Sequence, residues 1–300
     1  MATVDNTITV RSESLRTGQP RLRRHKPRRR PADWVILVAA IVVGILIAAP
    51  VLIILVNSFK SPSDYASNGP LSLPTQPYFD GIVKFWNTVN FPLKIWNSVF
   101  ISGAVAVLAV LVSVMNAYAL GIGRVRGRTW IIVLFLLANL LPQESLLYPL
   151  YNMAKAVGLY DSQWAVIIIF VVIQSAFGTY LMASVFGTFP KEMLEAASLD
   201  GASRLQILWR VVVPISRPTL SVLLIFFFIW TWNEFLIPLT FLVSNDNQTV
   251  PIAISLLQGD RIMDVTTTSA SALLGLIPTL IFFLIFQRTL TRGITAGAVK

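Results

Sequence analysis

Residues Pro190–Pro218 read PKEMLEAASLDGASRLQILWRVVVPISRP, a mixed-charge stretch between two long apolar runs, Gln163–Phe189 and Pro214–Val243. A chain has little reason to keep an ordered, charged segment between two apolar spans unless something docks against it. Pro190 suits the first turn of a helix, where its missing N–H is not needed. Met193, Ala196 and Ala197 then share one small apolar face, kept low by the alanine pair, so that a partner groove can approach closely. Glu192 and Glu195 flank that face as charge partners for basic residues. Gly201 permits a turn that a β-carbon would hinder. Leu205, Leu208, Trp209 and Val212 recur at helical spacing, which predicts a second amphipathic helix leading into Pro214 and the next apolar run. The pattern is two short helices at an angle, one to dock and one to connect docking to the membrane core. An ordinary amphipathic loop on the membrane surface would show the same periodicities.

Composition supports the apolar frame. The chain is 55% apolar and 13% charged, with a mean hydropathy of +0.70. Soluble domains carry about 25% charged residues. A helix needs about 20 apolar residues to cross the hydrocarbon. Six stretches qualify, at about 34–56, 96–120, 130–152, 163–189, 214–243 and 269–287, with 190–213 as the docking loop. The third is interrupted only by Glu144. The expected organisation is a disordered basic tail over 1–30, one six-helix membrane domain over 31–292, and a small, flexible tail over 293–300. The fold class is an all-α integral membrane protein. The first apolar run is too long for a cleavable signal core, and Arg28, Arg29 and Arg30 precede it as a topology anchor. With no cysteine there is no disulfide and no thiolate metal site.

Lys and Arg counts set the expected orientation. Nineteen of the 24 fall in the tail to Asp33, in 121–129, in 190–217 and after Gln287. Lys60, Lys84, Lys94, Lys155 and Arg261 fall in the alternate segments. Both termini and the 190–217 loop are therefore expected to be cytoplasmic. The run RLRRHKPRRRP is read as a topology flank rather than a nucleic-acid patch. In the long outer loop, Phe79, Ile82, Val83 and Trp86 mark one face of a short helix, to lie in the membrane interface or to meet an extracytoplasmic partner. The 244–268 loop faces a binding protein or solvent.

Glu195-Ala196-Ala197, Gly201 four residues on, and Val211-Val212-Val213-Pro214 resemble the EAA loop of ABC-importer permeases. Val stands where Ile and Leu are commonest. Further patches resemble the carbohydrate branch, of the maltose-transporter smaller-permease type. They include Asn97-Ser98, Asn116–Leu120, Leu141-Pro142, Asp200-Gly201-Ala202, Trp232–Phe235, Gln287-Arg288 and Gly293–Lys300. The family often has Asp where Glu234 stands. The likeness covers about residues 35–300. It implies a type I importer permease in a prokaryotic inner membrane. It also implies a heterodimer with a second permease, two ATP-binding subunits and an extracytoplasmic sugar-binding protein. Glu192, Glu195, Ala196, Ala197, Asp200, Gly201 and Pro214 become the expected ATPase-coupling residues. The cargo expected is a sugar, an oligosaccharide by preference, with glycerol-3-phosphate or another polar solute as the alternative. The small tail at 293–300 is slim enough to order against an ATPase subunit, or it is simply solvated.

Other function classes lose ground on residues. No Gly is followed by Lys, so the phosphate-cradling loop of an ATPase is missing, and ATP and Mg are expected only on partner subunits. A secondary carrier usually places ionisable groups in mid-span, whereas here only Glu144 and Glu234 occur, near helix ends. The single His25 lies in the basic tail, so no acid–base or metal cluster for an enzyme emerges. Polar and aromatic side chains in the spans are candidates for a translocation path: Asn139, Gln143, Glu144, Gln174, Trp230, Trp232, Asn233 and Glu234. Each is equally well read as an interhelical hydrogen bond, because a polar group facing lipid is costly.

Overall fold

The computed structural model describes residues 31–123, 125–256 and 264–298, with side chains described from 34 to 287. The expected disorder over 1–30 lies outside the described residues. The chain divides into two compact units, residues 1–49 and 50–300. The described part of the first is the start of helix α1 (Pro31–Asn57). Its side chains from Trp34 to Ile47 are all exposed. A helix apolar all round satisfies every backbone group internally, which is what a lipid-embedded segment requires.

Among the described residues the regular elements of the second unit are all helices. After α1 come two short helices, α2 (Pro62–Asn68) and α3 (Asp80–Thr88). Helix α4 (Phe91–Ala117) runs on through a π turn at Tyr118–Ile122. Helices α5 (Arg128–Ala138) and α6 (Leu147–Ala156) follow, separated by a 3₁₀ turn at Gln143–Leu146. Then come α7 (Gln163–Phe186), α8 (Lys191–Leu199) and α9 (Arg204–Ile207), the last continuing through a π turn into α10 (Val213–Ile215). Helices α11 (Arg217–Asn233), α12 (Leu236–Phe241), α13 (Val250–Leu256) and α14 (Val265–Ala298) complete the described chain. Among the described residues four helices are long and apolar enough to cross a membrane, or up to six if each of two bent pairs is one span.

The bends correct two expected spans. The third is not a continuous 130–152 helix: α5 and the 143–156 segment meet at 93°. Pro142, not Glu144, is responsible. It has no N–H for the helix ladder and disfavours helical geometry for the residue before it. The fifth is not one helix over 214–243. The 204–215 segment meets α11 at 81°, and α11 ends at Asn233. Glu234 is extended there, and its carboxylate accepts from the Leu236 N–H at 3.3 Å, starting α12 afresh. The last helix also exceeds its expected bounds. Its backbone stays helical to Ala298, so through that residue the 293–300 stretch is not an irregular tail. Once a long helix exists, each further residue needs only one more backbone bond.

Helices α4, α7 and α11 form the centre of the bundle. At Gly178 a β-carbon would lie 2.2 Å from Ser113 Oγ and 3.0 Å from Phe227, so glycine is what lets α7 close on both neighbours. Ser113 accordingly donates to Ala109 O at 2.6 Å and reaches Ser175 O at 3.3 Å. On α3 the expected face stays outward: Phe79, Val83 and Trp86 are exposed, while Phe85 on the other side is buried against Phe91.

Candidate functional site

The docking hairpin is built by local rules. Helix α8 ends in a glycine-closed cap. Asp200 is the last residue of near-helical geometry, and Gly201 follows at φ +80°. Gly201 N–H donates to Ser198 O and Ala202 N–H to Ala197 O, both at 3.1 Å. This pair of bonds defines a Schellman closure. Ser203 then opens α9 with a capping box: its hydroxyl accepts from Gln206 N–H, and Gln206 Oε1 accepts from Ser203 N–H at 2.7 Å. Two helices thus meet across four residues, Asp200 to Ser203, with both ends capped.

The face each helix buries differs in part from the periodicity. On α8, Leu194 and Ala197 lean on the core, while Ala196, Glu192, Glu195 and Asp200 are exposed. On the second helix, Ile207, Leu208 and Val212 are buried, whereas Leu205 and Trp209 are not. The π turn at Leu208–Val212 explains the change, because one extra residue per turn rotates the buried stripe. Pro214 lies just past it, where it cannot donate to Arg210 O.

Beneath the hairpin lies one packed cluster. Ile207, Leu208 and Val212 share it with Ala117 and Val114 of α4, Met182 and Phe186 of α7, and Leu223 and Phe227 of α11. At its far side, Thr231 Oγ donates to Phe227 O at 2.9 Å and accepts from Gln174 Nε2 at 2.8 Å. Gln174 is fully buried, and its carbonyl oxygen has no partner among the described residues.

The other path candidates fall into two groups. Asn139, Gln143 and Glu144 stand at the break in the third span; Asn139 donates to its own helix at Phe135 O, and Glu144 is exposed. Asn233 and Glu234 stand at the break after α11. Asn233 is exposed and donates to Ile229 O at 2.8 Å. No hydrogen bond joins the two groups among the described residues. Trp232 is buried and stacks on Phe228, with ring centroids 5.9 Å apart, and Trp230 meets Phe226 edge-on at 5.5 Å. The tryptophan rings therefore already pack against phenylalanine.

Several working residues escape the sequence patterns. Lys94 is fully buried and donates to the main-chain and side-chain oxygens of Asn245. Asn97 donates to Asp246 O at 2.6 Å and Gln248 O at 3.0 Å, and Ser98 Oγ accepts from Val250 N–H at 2.9 Å. These three pin the 245–250 segment to the start of α4. Asp161, at φ +58°, receives the Ser244 hydroxyl and the Ser244 N–H. The Ser244 hydroxyl holds its carboxyl below the usual aspartate range, against a smaller opposing effect of burial. At the start of α14, burial pushes Asp264 up but is outweighed by bonds from Thr267 and Thr266, so its pKa is lowered too. A polar residue just before an apolar run, as Lys94 is, is the signal that marks such locks.

The chain belongs to the family described as binding-protein-dependent transport system inner membrane component, whose model matches residues 121–296. It is 32% identical over 274 residues to the trehalose transport system permease protein SugB of Mycobacterium tuberculosis, covering 91% of this chain and 98% of that protein. It is 32% identical over 253 residues to the inner membrane ABC transporter permease protein YcjP of Escherichia coli, covering 84% and 90%. The fold matches a chain of a bacterial ABC transporter involved in alginate import, with a TM-score of 0.73 at 22% identity, over 87% of this chain and 99% of that one. The protein is thus a non-catalytic, inner-membrane permease subunit of an ABC importer, which works with ATPase and binding-protein subunits.

Proposed function

We propose that this chain is one of two different permease subunits that pass a sugar, an oligosaccharide by preference, into the cytoplasm by alternating access. Two ATP-binding subunits power the importer, with α8 as this chain's docking helix, and the extracytoplasmic sugar-binding protein delivers to the opposite end. The charge census supports placing both termini and the 190–217 hairpin in the cytoplasm. Glu192, Glu195, Ala196, Asp200 and Gly201 form the docking surface, Ala197 couples it to the core beneath, and Pro214 begins the connection to α11. This chain binds no cofactor of its own; ATP and Mg act on the partners. The single observation that carries the coupling role is the continuity of one packed cluster from Ile207 and Val212 to Phe227.

The sugar rests on the relatives' names, which include trehalose, lactose and diacetylchitobiose transport systems. The test is uptake by the reconstituted importer of labelled disaccharides and trisaccharides beside glycerol-3-phosphate. A sugar should drive substrate-stimulated ATP hydrolysis. Stimulation by glycerol-3-phosphate with none by any sugar would replace the cargo and leave the coupling role standing.

A further inference from the structure

We propose that the cleft between the 121–128 turn and α8 holds the headgroup of an anionic phospholipid. It encloses about 630 Å³ and continues into a neighbouring lobe of about 650 Å³. Arg126, Arg128 and Lys191 line the first lobe and Arg204 the second; among the described residues Glu195 is the one acid in either. All four cations are exposed, and none forms an ion pair among the described residues. Cationic excess alone would suit any anion. Two aromatic rings line the same lobe, Phe186 buried and Phe189 half-buried. A phosphate ion, or an acidic protein segment, meets the cations and leaves the Phe189 ring bare. An anionic lipid places its phosphate against the cations and its glycerol and first methylenes against Phe189. Trp130, two residues past Arg128, is 73% exposed. Exposed tryptophan favours headgroup depth, which sets the cleft at that level. The lipid site goes beyond coupling and, because Glu195 also belongs to the proposed docking surface, needs the cleft to stay open to the membrane surface beside the bound ATPase.

The assembled importer, purified from membranes and exchanged into nanodiscs of phosphatidylcholine with phosphatidylglycerol, should retain phosphatidylglycerol preferentially on native mass spectrometry. Each cation near a charged surface contributes roughly fivefold. The double variant Arg126→Gln, Arg128→Gln should therefore lose the preference by roughly twentyfold. Arg210→Gln, exposed but outside the cleft, should keep it. Unchanged assembly on size exclusion guards against simple misfolding. Equal retention by the double variant overturns the proposal. So does displacement of the lipid by millimolar inorganic phosphate, which would mark a site for free anions. Retention by the permease pair that vanishes once the ATPase subunits are bound overturns it as well, since the cleft would then be a protein interface.

Discussion

Replacing Gly201 separates backbone geometry from surface contact in the docking hairpin. Gly201 sits at φ +80°, and a β-carbon added there would meet nothing within 4 Å. Space is therefore free and only the dihedral is restrictive. A left-handed residue with a β-carbon costs about 1–2 kcal/mol, less for Asn and Asp and more for β-branched side chains. Losing the left-handed turn also gives up the two 3.1 Å bonds from Gly201 and Ala202 that close α8. A penalty of one to two kcal/mol lowers the closed-cap population roughly 5–30-fold. Substrate-stimulated ATPase activity and uptake by the reconstituted importer should fall in that range for Gly201→Val. Gly201→Asn should stay near the parent, with Gly201→Ala between them and membrane levels similar in all. If Asn is as damaging as Val, contact with the ATPase decides and the dihedral argument is wrong. A fully active Gly201→Val would remove the turn from coupling altogether.

Gly178→Val places methyls against Ser113 and Phe227, where even a β-carbon falls 2.2 and 3.0 Å away, so the purified protein should melt lower, by about 1–3 kcal/mol of stability. An unchanged melting temperature would show that α4, α7 and α11 separate more easily than their packing implies. Asn97→Ala strips the donor from Asp246 O and Gln248 O, at about 1–3 kcal/mol, and hydrogen exchange should quicken over 245–250 and not at Gly178. Asp64, Asp161 and Asp264 all have lowered pKa values, Asp64 chiefly through the Asn68 side chain. Their stabilising contribution is complete above the ordinary aspartate value of 3.8 and is lost as pH falls through the lowered folded values. Protection factors of the Ser244 and Asn247 amides should therefore stay flat from pH 7 to pH 5 and fall only below the ordinary value; a fall near pH 6 would point to another group. For orientation, a cysteine at Ser203 should resist an impermeant thiol reagent on intact cells and one at Asn68 should react, the reverse pattern inverting the topology.

The apolar runs and the two-helix loop after the fourth of them were legible because hydropathy and charge are properties of composition along the chain. The breaks were less so. Pro142 stood in plain view, but an apolar run with one proline also fits a kinked helix, and only the bend of 93° shows that the ladder stops. The end of α11 at Asn233 depends on Glu234 capping Leu236, a local bond that competes with helix continuation and leaves no trace in periodicity. Ile207 replaced Leu205 in the buried stripe because a π turn changed the register, and such turns have no pattern of their own. Gln174 was singled out as polar in an apolar span. Its partner Thr231 was not, since pairs between α7 and α11 depend on how the helices pack.

That packing limits how the hairpin can act. Protein interiors have few voids and deform little, so load moves packed groups together rather than compressing them. Ile207, Leu208 and Val212 are wedged among Val114, Met182, Phe186 and Phe227. A force on α8 and α9 therefore meets α4, α7 and α11 as one body. The 81° turn at Ser216 lies inside that body, since Val212 before it and Leu223 after it share the cluster. The 93° break at Pro142 lies outside it, so rotation there would leave the Ser113–Gly178–Phe227 contact intact. Flexing α7 instead would open that contact at the point where even one added carbon does not fit.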